Sequence, residues 1–399
     1  MAFSPNISLS HILGQPGARE GGSVSGLKMV GIESPMRQSG GMPHASEVAI
    51  QGYKSFADTG SVQLTDGVNL LLGANGAGKS NFISFFRFLN RLCEQQLFLY
   101  TGETGGASVL LHKGPPPVSE MAARLHVGEN EYRFRLKRTE GNDRFIFLEE
   151  IAEWKGHSRT LAKAGANESE LKQSEQRIPK FTYEYLSGIR VFHFHDTSPD
   201  APVMGSESVD NSNGLLGDAR NIAPVLFALQ RFEPDVYAHI RATIRLIAPF
   251  FDDFVLTPST AGNVSLRWRQ RGLTEDTFGP TAFSDGTLRF ICLTTLLNQP
   301  SNHLPKLVLL DEPELGLHPH AIQVLADMLK SAGSRTQLLV ATQSPLLIDY
   351  FSPENVIIAE RIGNATSLTR KAPEEFAAWL EDYTLGEIWR KNLLGGTPL

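Results

Sequence analysis

The sequence predicts an α/β fold: a mixed, largely parallel sheet with crossover helices, interrupted by a strand-rich insertion and a helical lobe. Three observations carry this. The apolar run 68–72 ends in a glycine loop, and Phe82, Phe85, Phe86, Leu89 and Leu92 then recur at helical spacing. After Phe283 the pattern alternates helix, strand, helix, strand, as parallel strands joined by helices require. Two of those strands, 307–310 and 338–341, are unbroken apolar runs, which suits strands covered on both faces.

Taken in order, residues 1–45 are rich in Gly, Ser and Pro and predict a flexible tail; they lack the basic start and apolar segment of a secretory signal. Order is expected from about Glu47, where Val48, Ile50, Val62 and Leu64 alternate in the manner of strands. Residues 46–397 are read as one head. Its insertion, 105–180, is marked by alternation at Ala123, Leu125, Val127 and at Tyr132, Phe134, Leu136, with a polar loop or exposed hairpin over 155–177. The helical lobe, 181–280, rests on Leu226, Leu229, Ile240, Ile244 and Ile247. No tandem repeat or sustained heptad run is present.

Across 399 residues there are 37 basic and 43 acidic side chains, a net charge of −6. That excludes a chain that coats nucleic acid by bulk charge and leaves room for a local basic groove. No apolar run reaches 18 residues, so no membrane span is expected. Cys93 and Cys292 lie far apart in apolar runs, so no disulfide framework is indicated and a reducing cytoplasm is the expected compartment.

Four segments carry chemistry. Gly73-Ala74-Asn75-Gly76-Ala77-Gly78-Lys79-Ser80 fits G-x-x-x-x-G-K-[ST], set between an apolar strand and an apolar-periodic helix. Glycines let backbone N–H groups turn inward around phosphate oxygens, and the helix dipole favours the same anion. Lys79 suits the β- and γ-phosphates and the Ser80 hydroxyl suits Mg²⁺. Gly73, Asn75, Gly76, Gly78, Lys79, Ser80 and Asn81 are therefore the candidate contacts for ATP. The strand 307–310 delivers Asp311 and Glu312 at its C-terminal end, where parallel sheets bind ligands. Asp311 suits Mg²⁺ and Glu312 an attacking water; alone, the pair also reads as acids capping the next segment. Ser284, Gly286 and Thr287 form a turn that opens an apolar helix and offers a hydroxyl and free N–H groups to an anion. Alone, it reads more readily as an ordinary N-cap. Gln343 ends the strand 338–341, where its amide could sense the γ-phosphate or position water; turn chemistry set by Ser344-Pro345 is the alternative.

These four elements in this order resemble ABC-type ATPase heads, the P-loop NTPase group that includes RecF, SMC heads and OLD-family ATPases. Asp311-Glu312-Pro313-Glu314-Leu315-Gly316-Leu317-His318-Pro319 and Ser284-Asp285-Gly286-Thr287-Leu288-Arg289 look like the bacterial AAA_21 proteins. So do Gly52-Tyr53-Lys54-Ser55-Phe56 and the ending 379–387. The resemblance implies an ATPase using ATP and Mg²⁺, with Glu312, Lys79 and Gln343 as catalytic residues. It implies a head-to-tail homodimer, or a higher even oligomer, in which Ser284, Gly286 and Thr287 face the other subunit's ATP. It also implies a separate effector protein and a setting in anti-phage defence or DNA maintenance. Gln343 stands where most such heads have His, and Gln cannot take a proton near neutral pH, so slow or partner-stimulated hydrolysis is expected. Gln95 and Gln96 are candidates for the glutamine-loop residue by position only. After Gln343, 56 residues remain, too few for the nuclease domain of OLD-family proteins, so the reading is a stand-alone head. A RecF-like repair ATPase and a non-hydrolysing scaffold are the alternatives.

Two clusters stand outside the motifs. His193, His195 and Asp196 are closely spaced metal-ligand types without a second cluster, and read better as structural or as support for the ATP site. Arg133, Arg135, Lys137 and Arg138 form a basic strand, the candidate contact for DNA or RNA, with a solvated strand face as the alternative.

Overall fold

The computed structural model describes residues 43–114 and 118–393. The expected tail therefore lies almost wholly outside the described residues. Two large sheets enclose the helix Lys79–Cys93. The first is antiparallel and runs, in spatial order, Phe56–Asp58, Ala45–Tyr53, Glu120–Val127, Asn130–Arg138, Phe145–Trp154, His157–Thr160, with Val62–Gln63 also on the strand Ala45–Tyr53. Strands 120–160 thus continue the sheet begun by 45–53 and share its core.

The second sheet runs Ala365–Thr369, Val356–Ile362, Val68–Leu72, Gln337–Thr342, Leu307–Asp311, Ile189–Phe192, parallel except for its outer 365–369 strand. Its two faces explain the unbroken apolar runs. Leu71, Leu307, Leu309, Leu339 and Ala341 point to the core that holds Phe82, Phe85, Phe86 and Phe88. Leu70, Val308, Leu310, Leu338 and Val340 point the other way, against the helices Asp285–Leu297 and Pro319–Gly333. Period-two alternation with both faces buried leaves no polar position in the strand.

Residues 181–280 are less helical than expected. They hold the helices Ile222–Phe232 and Pro234–Ile247, but also the edge strand 189–192 of the parallel sheet. They further include a three-stranded sheet of Phe251–Phe254, Trp268–Gln270 and Leu273–Phe278. That small sheet is anchored by Trp268, stacked on Phe283 with ring centroids 4.3 Å apart. Its strands are too short for alternation to show in the sequence.

Among the described residues no helix is long and apolar enough to cross a membrane. Cys93 and Cys292 are both buried as free thiols; burial pushes the Cys292 thiol up to about 12.

Candidate nucleotide site

Register aligns the C-terminal ends of the parallel strands along one edge: Leu72 beside Thr342, Ala341 beside Asp311, Leu310 beside Phe192. The segments leaving these strand ends are therefore gathered there: the glycine loop, Gln343, Glu312 and His193, in that spatial order. This is the edge at which open α/β sheets bind ligands.

The loop needs its glycines. Gly76 and Gly78 have φ of 79° and 108°, which other residues rarely adopt. A Cβ on Gly73 would lie 2.6 Å from the Ala359 carbonyl, and one on Gly78 would collide with the Thr366 hydroxyl. Thr366 Oγ1 donates to the Ala77 carbonyl (2.9 Å) and its N–H to the Ser55 carbonyl (2.8 Å); Asn81 Nδ2 donates to Ser55 Oγ (3.0 Å). Distant turns thus brace the loop from below. Asn75, Gly76 and Ser80 remain exposed. Lys79 is buried, and its ammonium donates to the carbonyls of Gly73 (2.6 Å) and Ala74 (3.1 Å). Burial lowers its pKa, opposed by the carboxylates of Glu312, Asp311 and Glu314. Lys79 and Asp311, 232 residues apart, are thus within electrostatic reach of each other.

After Asp311 the chain turns sharply. Glu312 sits at φ 44°, a costly conformation for a residue with a Cβ, while its N–H still donates to the Ala341 carbonyl (2.8 Å). Glu314 folds back under the turn, buried, with Oε1 accepting from Thr342 Oγ1 at 2.5 Å. Burial raises its pKa above the usual carboxylate range.

The Ser284 turn makes the cap that its sequence also allows: Ser284 Oγ accepts from the Thr287 N–H (3.3 Å) and lies 2.9 Å from Thr287 Oγ1. Ser284 and Asp285 are nevertheless exposed. Gly286 packs on the acidic turn, where a Cβ would lie 2.5 Å from the Gly316 carbonyl. Three residues on, Arg289 donates to the Leu315 carbonyl (3.1 Å) and to the His195 carbonyl (2.8 Å). One side chain thus joins the Ser284 helix, the acidic turn and the edge-strand exit.

Gln95 and Gln96 are not at this site. They lie beyond the far end of the 15-residue helix 79–93, ~20 Å from the glycine loop at 1.5 Å per residue. Gln95 Nε2 donates to the Ser169 carbonyl (3.0 Å), and Gln96 accepts from Arg91. His193, directly after the edge strand, is what lies next to the Asp311 strand. Burial and the Arg87 charge lower its pKa, and Asp311 opposes them. Its ring lies 6.3 Å from that of His195, whereas Asp196 is engaged by Ser198 N–H (3.1 Å) and Oγ (2.7 Å). Among the described residues no group of three or more His, Cys, Asp or Glu side chains is placed to hold a metal ion.

The basic strand is charge-balanced by its neighbours. Arg133 pairs with Glu131 (2.6 Å), Glu153 (3.3 Å) and Glu149 (3.5 Å), Arg135 with Glu120 (3.1 Å), and Arg138 with Asp143 (2.5 Å). Most of these acids come from adjacent strands in register, which sequence order hides.

The residues present fit Mg²⁺–ATP. The loop is packed from below at Gly73 and Gly78 and open at Asn75, Gly76 and Ser80, and Ser80 and Asp311 offer the hard oxygen donors that Mg²⁺ prefers. A profile of the AAA_21 family, described as "AAA domain, putative AbiEii toxin, Type IV TA system", matches residues 68–349. The chain belongs to the AAA_21 family. The fold of this AAA_21 chain is that of SMC heads. It is similar to the SmcHead bound to the C-winged helix domain of ScpA, with a TM-score of 0.56 and 15% identity over 84% of this chain and 100% of that one. It is also similar to the Smc head domain with an extended coiled coil bound to the C-terminal domain of ScpA, from Pyrococcus furiosus (TM-score 0.54, 14% identity, 86% of this chain and 99% of that one). At these identities the likeness is one of fold. Urease accessory protein 2 of Cryptococcus neoformans var. grubii is 31% identical over 129 residues; the match spans 32% of this chain and 10% of that protein.

Proposed function

We propose that this chain is an ATP-binding and hydrolysing switch that dimerises head-to-tail around ATP and controls a separate effector protein. The observation that carries it is that the loop bearing Lys79 and the turn bearing Asp311 and Glu312 leave the same edge of the parallel sheet, with the strand that leads into Gln343 between them. The backbone N–H groups of the glycine loop and Lys79 hold the phosphates, with Asn75 and Asn81 at the rim. Ser80 and Asp311 hold Mg²⁺, which when bound neutralises charge on the phosphates. Glu312 orients and deprotonates water, and the strained turn aims its carboxylate. Gln343, between the loop and Asp311, donates a hydrogen bond without taking a proton, which suits slow turnover.

The exposed Ser284 supports the dimer reading, since it heads the half-buried Gly286-Thr287 turn on a face that the ATP of a second chain could meet. The family description names a toxin–antitoxin system and the similar SMC heads are bound to ScpA, which supports a partner protein and a defence setting. The charge-balanced 130–138 strand favours this over direct DNA binding.

The test is ATP turnover by the full chain. Glu312→Gln is expected to reduce turnover by about 100-fold or more while ATP affinity stays within about threefold. Turnover that survives Glu312→Gln would remove the assigned base, and a wild type that binds ATP without turnover would establish the scaffold reading instead.

A further inference from the structure

One buried group at the nucleotide edge has no part in the binding and hydrolysis assigned to its neighbours. Glu314 is a carboxylic acid side chain 8% exposed, placed beneath the acidic turn. Its Oε1 accepts from Thr342 Oγ1, and the same hydroxyl accepts from the Ser344 N–H at 3.0 Å. Its Oε2 is buried without a hydrogen-bond partner. Leaving a buried carboxylate oxygen unpaired is costly, and replacing the group by a hydrocarbon would remove the cost. A polar side chain here therefore calls for a reason other than packing. Geometry supplies one. The relay Ser344 N–H, Thr342 hydroxyl, Glu314 carboxyl is a side-chain tie from the Gln343 segment to the turn that carries Glu312.

We propose that Glu314 is a positioning residue that fixes Gln343 relative to Glu312, acting through hydrogen bonds. The two groups that would meet the γ-phosphate and the water sit at the ends of adjacent strands. Backbone pairing aligns the strands, but it ends at Asp311 and Ala341. Beyond that rung the Glu312 N–H bond to Ala341 and the Glu314–Thr342 bond carry the alignment. A displacement of either turn by a fraction of an ångström would then spoil the chemistry without removing any group that binds ATP. The inference rests on the ATPase reading and adds to it a residue that touches neither nucleotide nor water.

The experiment compares wild type, Glu314→Ala, Glu314→Gln, Thr342→Val and the Glu314→Ala/Thr342→Val double variant, each checked by circular dichroism to be fully folded at the assay temperature. Gln keeps the acceptor oxygen and a donor on the second atom, so it rescues a hydrogen-bonded tie but not a charge. The expected result is a kcat lowered by about 10-fold or more in Glu314→Ala and Thr342→Val, with ATP affinity within about threefold. Glu314→Gln stays within about threefold of wild type in kcat, and the double variant is no slower than the worse single, as expected of residues acting as one unit. Loss in Glu314→Gln equal to that in Glu314→Ala overturns the proposal in favour of a charge, and multiplicative loss in the double variant overturns the tie. Turnover that is abolished by Glu312→Gln yet untouched by Glu314→Ala overturns the tie alone, and a wild type without turnover overturns it together with the ATPase reading.

Discussion

At the scale of single residues, the nucleotide edge is built from side chains placed where their own chemistry is disfavoured. Lys79 is buried, Glu312 is held at positive φ, and Glu314 is buried with one oxygen unpaired. Each is retained at a cost in stability, which is the expected pattern at a site where positions are fixed for function. Glu314 has a consequence that stability measurements can read. Its ordinary value is 4.5, and burial raises it in the folded chain. A carboxyl whose pKa is raised on folding binds its proton more tightly in the folded state. Its contribution to stability is therefore fully present below the ordinary value and is lost as pH rises through the raised one. Glu314→Gln keeps the shape and does not titrate. The melting temperature of wild type minus that of Glu314→Gln should therefore fall as pH increases from 4.5 through the raised value and level off above it. A difference that stays constant across that range would show that the buried group is not linked to folding.

At the scale of elements, the strand Asn130–Arg138 shows how register changes the meaning of a charge run. Read along the chain it is basic, but Arg133 pairs with Glu131 of its own strand and with Glu149 and Glu153 of the next, and Arg135 with Glu120 across the sheet. These pairs are partly exposed, so each is worth little to the fold; together they remove the net positive field that a phosphate backbone requires. Arg133→Ala combined with Arg135→Ala should leave the affinity for a short DNA duplex unchanged within about twofold at low and moderate salt, and stability within about 1 kcal/mol. A tenfold weakening in a gel-shift titration would restore the strand as a nucleic-acid contact. The same contrast sets what could be read from sequence. The glycine loop, the Asp311–Glu312 turn and the Ser284 cap are local: their residues adjoin in the chain, and their chemistry dictates their spacing. Thr366, which blocks a side chain at Gly78, bonds a carbonyl 289 residues earlier. The Glu314–Thr342 pair is 28 residues apart and depends on the strand order. His193 likewise takes its place beside the Asp311 strand only because 189–192 is added to the sheet edge, a fact that four residues of apolar alternation could not announce.

At the scale of the whole molecule, the Ser284 turn is not an independent ornament on the fold. Gly286 rests on Gly316, and Arg289 holds Leu315 and the His195 segment, so the start of this helix moves with the acidic turn of its own chain. A ligand on a second chain that contacts Ser284 would therefore act, through these contacts, on the turn that carries Glu312. On the proposed reading, ATP that touched both chains would stabilise the dimer by its differential affinity for that state, and hydrolysis would remove the bias. Glu312→Gln, which keeps ATP intact, should give an ATP-dependent doubling of molar mass in light scattering. Adding Ser284→Arg should return the mass to that of one chain, because the exposed hydroxyl is replaced by a bulky cation at the contact, while ATP binding by each chain persists. The double variant separates two ideas that the single variant joins. If it still dimerises with ATP, the two chains meet through some other face and the Ser284 turn is only the cap of its helix. If it fails to bind ATP at all, the turn belongs to the nucleotide site of its own chain and the head-to-tail arrangement is wrong. Only a monomer that retains its ATP places Ser284 across the interface from the phosphate loop.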